Sequence, residues 1–306
     1  MNTPPKTIAV VGAGALGSYY GAKLARQGAD VRFLMRADLE TVRRDGLAIR
    51  EKGEEWRVPA QAFGSPAEIG PVDLVVIGLK TTANEDLEQL IPPLLHEQTL
   101  LLTLQNGLGN EELLARHWGA ERVLGGLCFV CLNRVAAGVI EHYGHGTLSL
   151  GEFGRAQMKR TQAIGTMFSE AGVETHVVEN LVTERWRKLV WNIPFNGLSI
   201  ATGGRTCDLL LADAGLRAQV RALMLETIAA ASSLGHAIPE SYADYQIERT
   251  YPMGPYKPSS MIDWQLGRAV EVESIWGEPW RQGTAAGVAL PRLELLYQLL
   301  RQMTSR

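Results

Sequence analysis

The sequence predicts an α/β protein in two parts, a sheet-and-helix N-terminal half followed by an all-helical C-terminal half. Three observations carry this. Before about residue 180, short apolar runs alternate with stretches of helical period, the pattern of a parallel sheet with crossover helices. From Leu181 onward nearly every segment has helical period. The chain has 306 residues, and at roughly 100–200 residues per domain that makes two. The expected division is residues 1–179 and 180–306, and ligand pockets favour such boundaries.

The elements follow in order. Thr7 to Val11 reads as a buried strand, Ala15 to Gln27 as a helix closed by Gly28, and Ala29 to Met35 as the second strand. Residues 46–60 read as a small hairpin. Asp73 to Leu79 is another buried strand, followed by a helix to about Leu90 that Pro92 and Pro93 stop. Thr99 to Leu104 is the next strand. Gly125 to Leu132 and Val139 to Leu150 alternate like antiparallel edge strands. A helix from Ala156 to Glu170 ends at Gly172, and Val173 to Val178 closes the sheet. In the second half, helices are expected over Leu181 to Ala201, Asp213 to Leu234 and Ser241 to Arg249. After the turn-rich run Tyr251 to Pro258, helical segments extend from Ser259 to near Gly287, and Leu293 to Met303 is the last.

Composition excludes several classes of function. Net charge is −3, with 30 basic and 33 acidic residues and no block of like charge. That argues against a nucleic-acid stripe or a membrane-surface patch, so a small anion would have to be held by a few local cations. No run of apolar residues is long enough to span a membrane, and the stretch MNTPPKTIAVVGAG has no signal-peptide pattern. Three cysteines, an odd and low count, fit a reducing cytoplasm. Cys128 and Cys131 spell C-x-x-C within a run read as a strand. Residues three apart on a strand face opposite sides, so the pair reads as core or interface thiols. The histidines form no metal pattern, and His142 and His145 in a Gly-rich hairpin read as structural or exposed. No metal site is expected. No nucleophile elbow supports a serine hydrolase.

The strongest motif is Gly12-Ala13-Gly14-Ala15-Leu16-Gly17, a G-x-G-x-x-G between a strand and a helix. Gly12 permits a tight turn, Gly14 lets a pyrophosphate approach the backbone, and Gly17 lets the helix pack on the strand. The N–H groups around Ala15 and Leu16 then face the phosphates. Sites for NAD usually carry an acid at the end of the second strand. Leu34-Met35-Arg36 stands there instead, and a guanidinium pairs with a 2′-phosphate, so NADP is the expected cofactor. Lys80 is a second candidate cation. Asp38 nearby weighs against this reading, and Arg36 also reads as an exposed surface arginine.

Lys188, Asn192 and Asn196 are spaced four apart and form one polar stripe on a helix whose other residues include Leu189, Val190, Trp191, Ile193 and Phe195. Pro194 should kink that helix. So many large apolar neighbours place the stripe in a buried or half-buried cleft rather than on a solvated face. Reduction of a ketone leaves negative charge on oxygen. An ammonium beside it stabilises that charge and donates the proton, while amides suit substrate hydroxyls. Asn106, in Gln105-Asn106-Gly107 after a strand, reads equally as a turn residue or as a group facing the nicotinamide. Ser259-Ser260 can be a helix cap and Glu271 a surface acid.

Taken together, the glycine turn, Leu79-Lys80, Gln105-Asn106-Gly107, Trp186, Lys188-x-x-x-Asn192-x-x-x-Asn196, Ser259-Ser260-Met261 and Gly267-Arg268-x-x-Glu271 resemble the ketopantoate reductase family over nearly the whole chain. The resemblance implies a Rossmann-type dinucleotide-binding domain joined to a helical domain like the C-terminal one of 6-phosphogluconate dehydrogenase, with the site in a cleft. It implies NADPH-dependent reduction of 2-dehydropantoate to pantoate, a step toward pantothenate and coenzyme A. It implies that Lys188 is the general acid and Glu271 its partner near the nicotinamide ribose. Asn192 and Asn196 would bind substrate oxygens, Ser260 the carboxylate, and Asn106 both cofactor and substrate. Arg36 and Lys80 would address the 2′-phosphate.

The chain departs from the family pattern in three places. Thr206 stands where a further asparagine is common. The spacing to Gly267-Arg268 leaves Ser259 or Ser260 as the counterpart of the family serine. Pro279-Trp280-Arg281 is bulky. Two other functions stay open: a reductase of a different 2-keto or 3-keto acid on the same scaffold, and a non-catalytic NADP-sensing protein. Retention of Lys188 with Glu271 speaks against the second. The Trp-rich helical half is a candidate homodimer interface.

Overall fold

The computed structural model describes residues 4–305. Met1 to Thr3 of the N-terminal stretch and Arg306, the last residue of the expected 180–306 domain, lie outside the described residues. By its internal contacts the chain forms two compact units. One holds the residues up to Gln105 with Asn110–Leu181, and the other holds Asn106–Gly109 with the residues from Val182 onward.

The first unit is built on β1 (Thr7–Val11), α1 (Ala15–Arg26), β2 (Asp30–Leu34), α2 (Leu39–Asp45), β3 (Leu47–Glu51), β4 (Glu54–Val58), β5 (Gln61–Phe63), α3 (Pro66–Ile69), β6 (Leu74–Ile77), α4 (Leu87–Leu90), β7 (Leu100–Thr103), α5 (Asn110–Trp118), β8 (Val123–Ala136), β9 (Val139–Glu152), α6 (Lys159–Glu170) and β10 (Thr175–Val177). The strands make one sheet in the order β4-β3-β9-β8-β7-β6-β1-β2-β5, with β10 added on β9. Strands β7, β6, β1, β2 and β5 are parallel neighbours, whereas β8 with β9 and β3 with β4 are antiparallel. β1 shows why its sequence is apolar from Ile8 to Val11. Ile8 and Val10 enter one core cluster and Ala9 and Val11 another, so the strand is covered on both faces. The strand order reverses at β1, which lies between β2 and β6. Open α/β sheets bind ligands beyond the strand ends at such a switch point.

Several expectations need correction here. β8 and β9 are interior strands, because β3 and β10 pair with β9 and β7 pairs with β8. Their alternation reflects a mixed sheet rather than an edge. The predicted helix to Leu90 is a 3₁₀ stretch, Thr81–Asp86, running into the single turn of α4. β8 has register shifts between Phe129 and Val130 and between Cys131 and Leu132. Each bulge breaks the two-residue period, so strict alternation does not describe Cys128 and Cys131. Both are free thiols, Cys128 buried and Cys131 half-buried. His142 is structural: its Nε2 donates to the carbonyls of Gly144 and His145, and its Nδ1 lies 3.3 Å from Glu51.

The second unit is helical: α7 (Leu181–Ala201), α8 (Cys207–Ala212), α9 (Ala214–Ser233), α10 (Ser241–Glu248), α11 (Ser259–Gln265), a π turn at Glu273–Gly277 that runs into α12 (Glu278–Ala285), and α13 (Pro291–Thr304). The helical run expected from Ser259 to Gly287 is thus interrupted between α11 and the π turn. α7 supplies the centre of the core with Trp186, Leu189, Val190, Ile193, Phe195 and Ile200. It remains one helix across Pro194. No helix of the described residues is long and apolar enough to cross a membrane.

Candidate active site

In the first unit the candidate cofactor site is the turn from β1 into α1. Gly12 has φ +91°, and a Cβ there would stand 2.3 Å from the backbone nitrogen of Leu79. A Cβ on Gly17 would stand 2.4 Å from the carbonyl oxygen of Gly12. The chain's own packing therefore demands both glycines. Gly14 differs: its φ of −77° is ordinary, it is exposed, and a Cβ would meet nothing within 4 Å. Nothing in the protein requires a glycine here, so the open space is a cradle for something outside the chain. The first turn of α1 has no side-chain cap, so its N–H groups and partial positive charge point into that space. A pyrophosphate fits this donor set.

At the end of β2, Arg36 is 82% exposed, and its nearest acid, Asp86, is 3.9 Å away. So loose and exposed a pair costs little to exchange for a phosphate. Asp38, which spoke against a 2′-phosphate, is turned elsewhere. It is buried, takes a 2.6 Å hydrogen bond from Arg134 and accepts from the backbone N–H of Gly138. Sequence reading did not single out Arg134, the residue that engages this carboxylate. It lies 96 positions from its partner, and no local pattern marks it. Lys80 is half-buried at the end of β6, at the head of the 3₁₀ stretch.

In the second unit the candidate catalytic residues gather on α7. Lys188 Nζ donates to Asn106 Oδ1 at 2.7 Å, across 82 positions of sequence. Asn106 is held by its own loop. Leu108 N–H donates to the carbonyl of Ser274, and a Cβ on Gly107, whose φ is +86°, would stand 2.3 Å from that same oxygen. Ser274 lies in the π turn that directly follows the Glu271 segment, and Ile275 N–H donates to the Glu271 carbonyl. One backbone contact therefore ties the Asn106 loop to the Glu271 turn, and π turns of this kind recur at functional sites. Gln105 instead is structural: buried at the end of β7, it donates to Asn84 at 2.7 Å.

The polar stripe forms as the spacing requires, with Lys188 and Asn192 half-buried and Asn196 2% exposed. Asn196 Oδ1 accepts from Ser260 N–H at 2.9 Å, so α7 and α11 meet at these residues. Of the two serines, Ser260 is buried at 3% exposure and Ser259 is exposed. Trp191 flanks the stripe. Its indole N–H donates to Thr250, and its ring packs against Phe195 and Tyr256. Thr206 stands at the N-cap position of α8, and its hydroxyl donates to Asp208 rather than capping the helix. The thiol of adjacent Cys207 is pushed up to about 12, by burial first and by the charge of Asp208 second, so it stays neutral. Among the described residues no group of three His, Cys, Asp or Glu side chains is placed to hold a metal.

A glycine turn at the sheet's switch point in one unit, and in the other a lysine–amide pair on a helix with a large apolar face, are the equipment of a dinucleotide-dependent oxidoreductase. Comparison with known proteins makes the class specific. The family model described as ketopantoate reductase PanE/ApbA matches residues 8–155, and its C-terminal counterpart matches residues 180–304. The chain is 41% identical to a 2-dehydropantoate 2-reductase of a Nostoc species, over 98% of this chain and 96% of that one. The crystal structure of 2-dehydropantoate 2-reductase from Geobacter metallireducens aligns with TM-score 0.93 at 46% identity, covering 97% and 99% of the two chains. The one from Methylococcus capsulatus aligns with TM-score 0.91 at 34% identity, covering 98% of each. The chain belongs to the ketopantoate reductase family.

Proposed function

We propose that this chain reduces 2-dehydropantoate to pantoate with NADPH, a step toward pantothenate and coenzyme A. The observation that carries the reading is the 2.7 Å pairing of Lys188 with Asn106, an ammonium fixed in place on the helix that supplies the centre of the second unit's core. In this reading residues 1–179 hold the cofactor and residues 180–306 hold the substrate. Gly12, Gly14, Ala15, Leu16 and Gly17 receive the pyrophosphate, and Arg36 and Lys80 the 2′-phosphate. Bound NADPH supplies the hydride that reduces the keto carbon. Lys188 gives a proton to the ketone oxygen, which becomes the hydroxyl of the product. Asn106 fixes one ammonium proton and so directs the others. Glu271 pairs with the lysine and contacts the nicotinamide ribose. Asn192, Asn196 and Ser260 serve the substrate, with Ser260 rather than exposed Ser259 at its carboxylate.

The enzyme works in the cytoplasm as a homodimer of this chain, with the interface on the Trp-rich helical half, and light scattering tests the dimer. Thr206 gives a specific reason to weigh a different keto acid. Its hydroxyl is committed to Asp208, which leaves one fewer polar group for a substrate hydroxyl. The deciding experiment is steady-state kinetics with NADPH over a panel of branched and unbranched 2-keto acids. A highest kcat/KM for 2-dehydropantoate supports the proposal. A preference for 2-oxoisovalerate transfers it to another 2-keto acid, and no turnover with any of them leaves a sensor.

A further inference from the structure

The two asparagines of the α7 stripe are held differently. Asn192 is half-buried, and among the described residues nothing hydrogen-bonds its side chain. Asn196 is 2% exposed, and both ends of its amide are engaged. Its Nδ2 donates to the carbonyl of Asn192 at 3.2 Å, and its Oδ1 accepts from Ser260 N–H at 2.9 Å. A carbonyl cannot donate and a backbone N–H cannot accept, so the partners themselves set which way the amide points. Ser260 is the second residue of α11, so its N–H has no acceptor within the helix. It is 3% exposed, and without Asn196 that donor would be buried and unpaired.

We propose that Asn196 is a positioning residue: it acts on the keto acid through Ser260, whose place it sets, while Asn192 is the asparagine that meets the substrate. This rests on the reading above, in which Ser260 holds the carboxylate. The consequence is a division of labour. Every 2-keto acid carries the carboxylate, but only some carry a hydroxyl. Loss of Asn196 should therefore weaken all of them alike, and loss of Asn192 should change the preference among them.

Four variants test this with 2-dehydropantoate and its deoxy analogue, 3,3-dimethyl-2-oxobutanoate. Asn196→Ala should raise KM for both by the same factor, at most on the order of 10²-fold for a displaced contact, with KM for NADPH unchanged. Asn196→Ala combined with Ser260→Ala should be no worse than Ser260→Ala alone, because both remove one contact. Asn196→Asp covers the case in which the alanine variant does not fold. A protonated carboxyl reproduces both bonds: its O–H donates to the Asn192 carbonyl and its C=O accepts from Ser260 N–H. Ionised, it sets a negative charge against that carbonyl. Burial raises a carboxyl's pKa, so keto-acid KM in this variant should fall toward wild type as pH drops, relative to the wild-type profile. A changed ratio between the two keto acids in Asn196→Ala, additive losses with Ser260→Ala, or a wild-type pH profile in Asn196→Asp would each overturn the proposal. A wild type inactive on 2-dehydropantoate defeats the functional reading itself, and the proposal with it.

Discussion

The contrast between Gly12 and Gly14 separates a glycine that the fold needs from one that a ligand needs. Gly12→Ala forces a side chain to φ +91° and sets its Cβ 2.3 Å from the Leu79 backbone. A strained dihedral costs about 1–3 kcal/mol and overpacking typically about 1–3 kcal/mol more, so stability should fall by roughly 2–6 kcal/mol. Gly14→Ala keeps an ordinary φ and meets nothing within 4 Å, so its Cβ adds no clash. Alanine is a poorer helix cap than glycine, which costs roughly 0.5–1 kcal/mol. Its effect on the cofactor should be larger. Pushing a pyrophosphate away from the α1 amides removes hydrogen bonds to a charged group, each worth about 1.5–3 kcal/mol, or about ten- to a hundredfold in Kd. The assay measures each variant twice, as Tm without cofactor and as Kd for NADPH by fluorescence titration. Gly12→Ala should lose Tm, and Gly14→Ala should keep Tm within a few degrees and lose affinity. Wild-type NADPH affinity in Gly14→Ala would refute the cradle, and a melt as low as that of Gly12→Ala would make the glycine structural.

Three further outcomes are expected. Lys188→Ala should lower kcat by about 10²–10⁴-fold with little change in NADPH affinity, since general acid catalysis contributes about that much. A near-normal kcat on the best substrate would remove the lysine from the role. Arg36→Ala should reduce the NADPH-over-NADH preference in kcat/KM by about ten- to a hundredfold, the worth of a charge-assisted pair, and equal use of both cofactors by the wild type would sink the assignment. Arg134→Ala should weaken the same preference without touching the cofactor, because it uncovers the carboxylate of Asp38. An unchanged cofactor ratio in that variant would mean that Asp38 does not feel the phosphate.

The strands and helices with the cleanest periodicity were legible from sequence because one local rule decides them. β1 is apolar from Ile8 to Val11 and is covered there on both faces, and α7 begins and ends where its pattern does. The elements that were not legible are short ones that tertiary contacts hold. α2, β5, α3, α5 and α8 have three to nine residues each, too few for a period to declare itself. The interior place of β8 and β9 was hidden for a different reason. β3, the further partner of β9, lies far off in sequence, β8 is flanked by β7, and an antiparallel pair alternates whether or not something lies beyond it.

For the candidate site the division is sharper, and it falls between identity and pairing. Residue types and spacing single out Gly12, Gly14 and Gly17, Arg36, and the Lys188, Asn192, Asn196 stripe, because the chemistry asked of each depends on its own side chain. What each residue has left to offer a ligand depends on what else holds it, and that is a property of folded neighbours. Asp38 read as an objection to a 2′-phosphate until Arg134, 96 positions away, proved to hold it. Asn192 and Asn196 read as equivalent, four apart on one helix, until Ser260 proved to engage the second. A buried amide with both ends bonded has little left to give a substrate, whatever its place in a motif. In the proposed reading, the specificity of this site turns on the side chains the fold leaves unpaired, with Asn192 first among them.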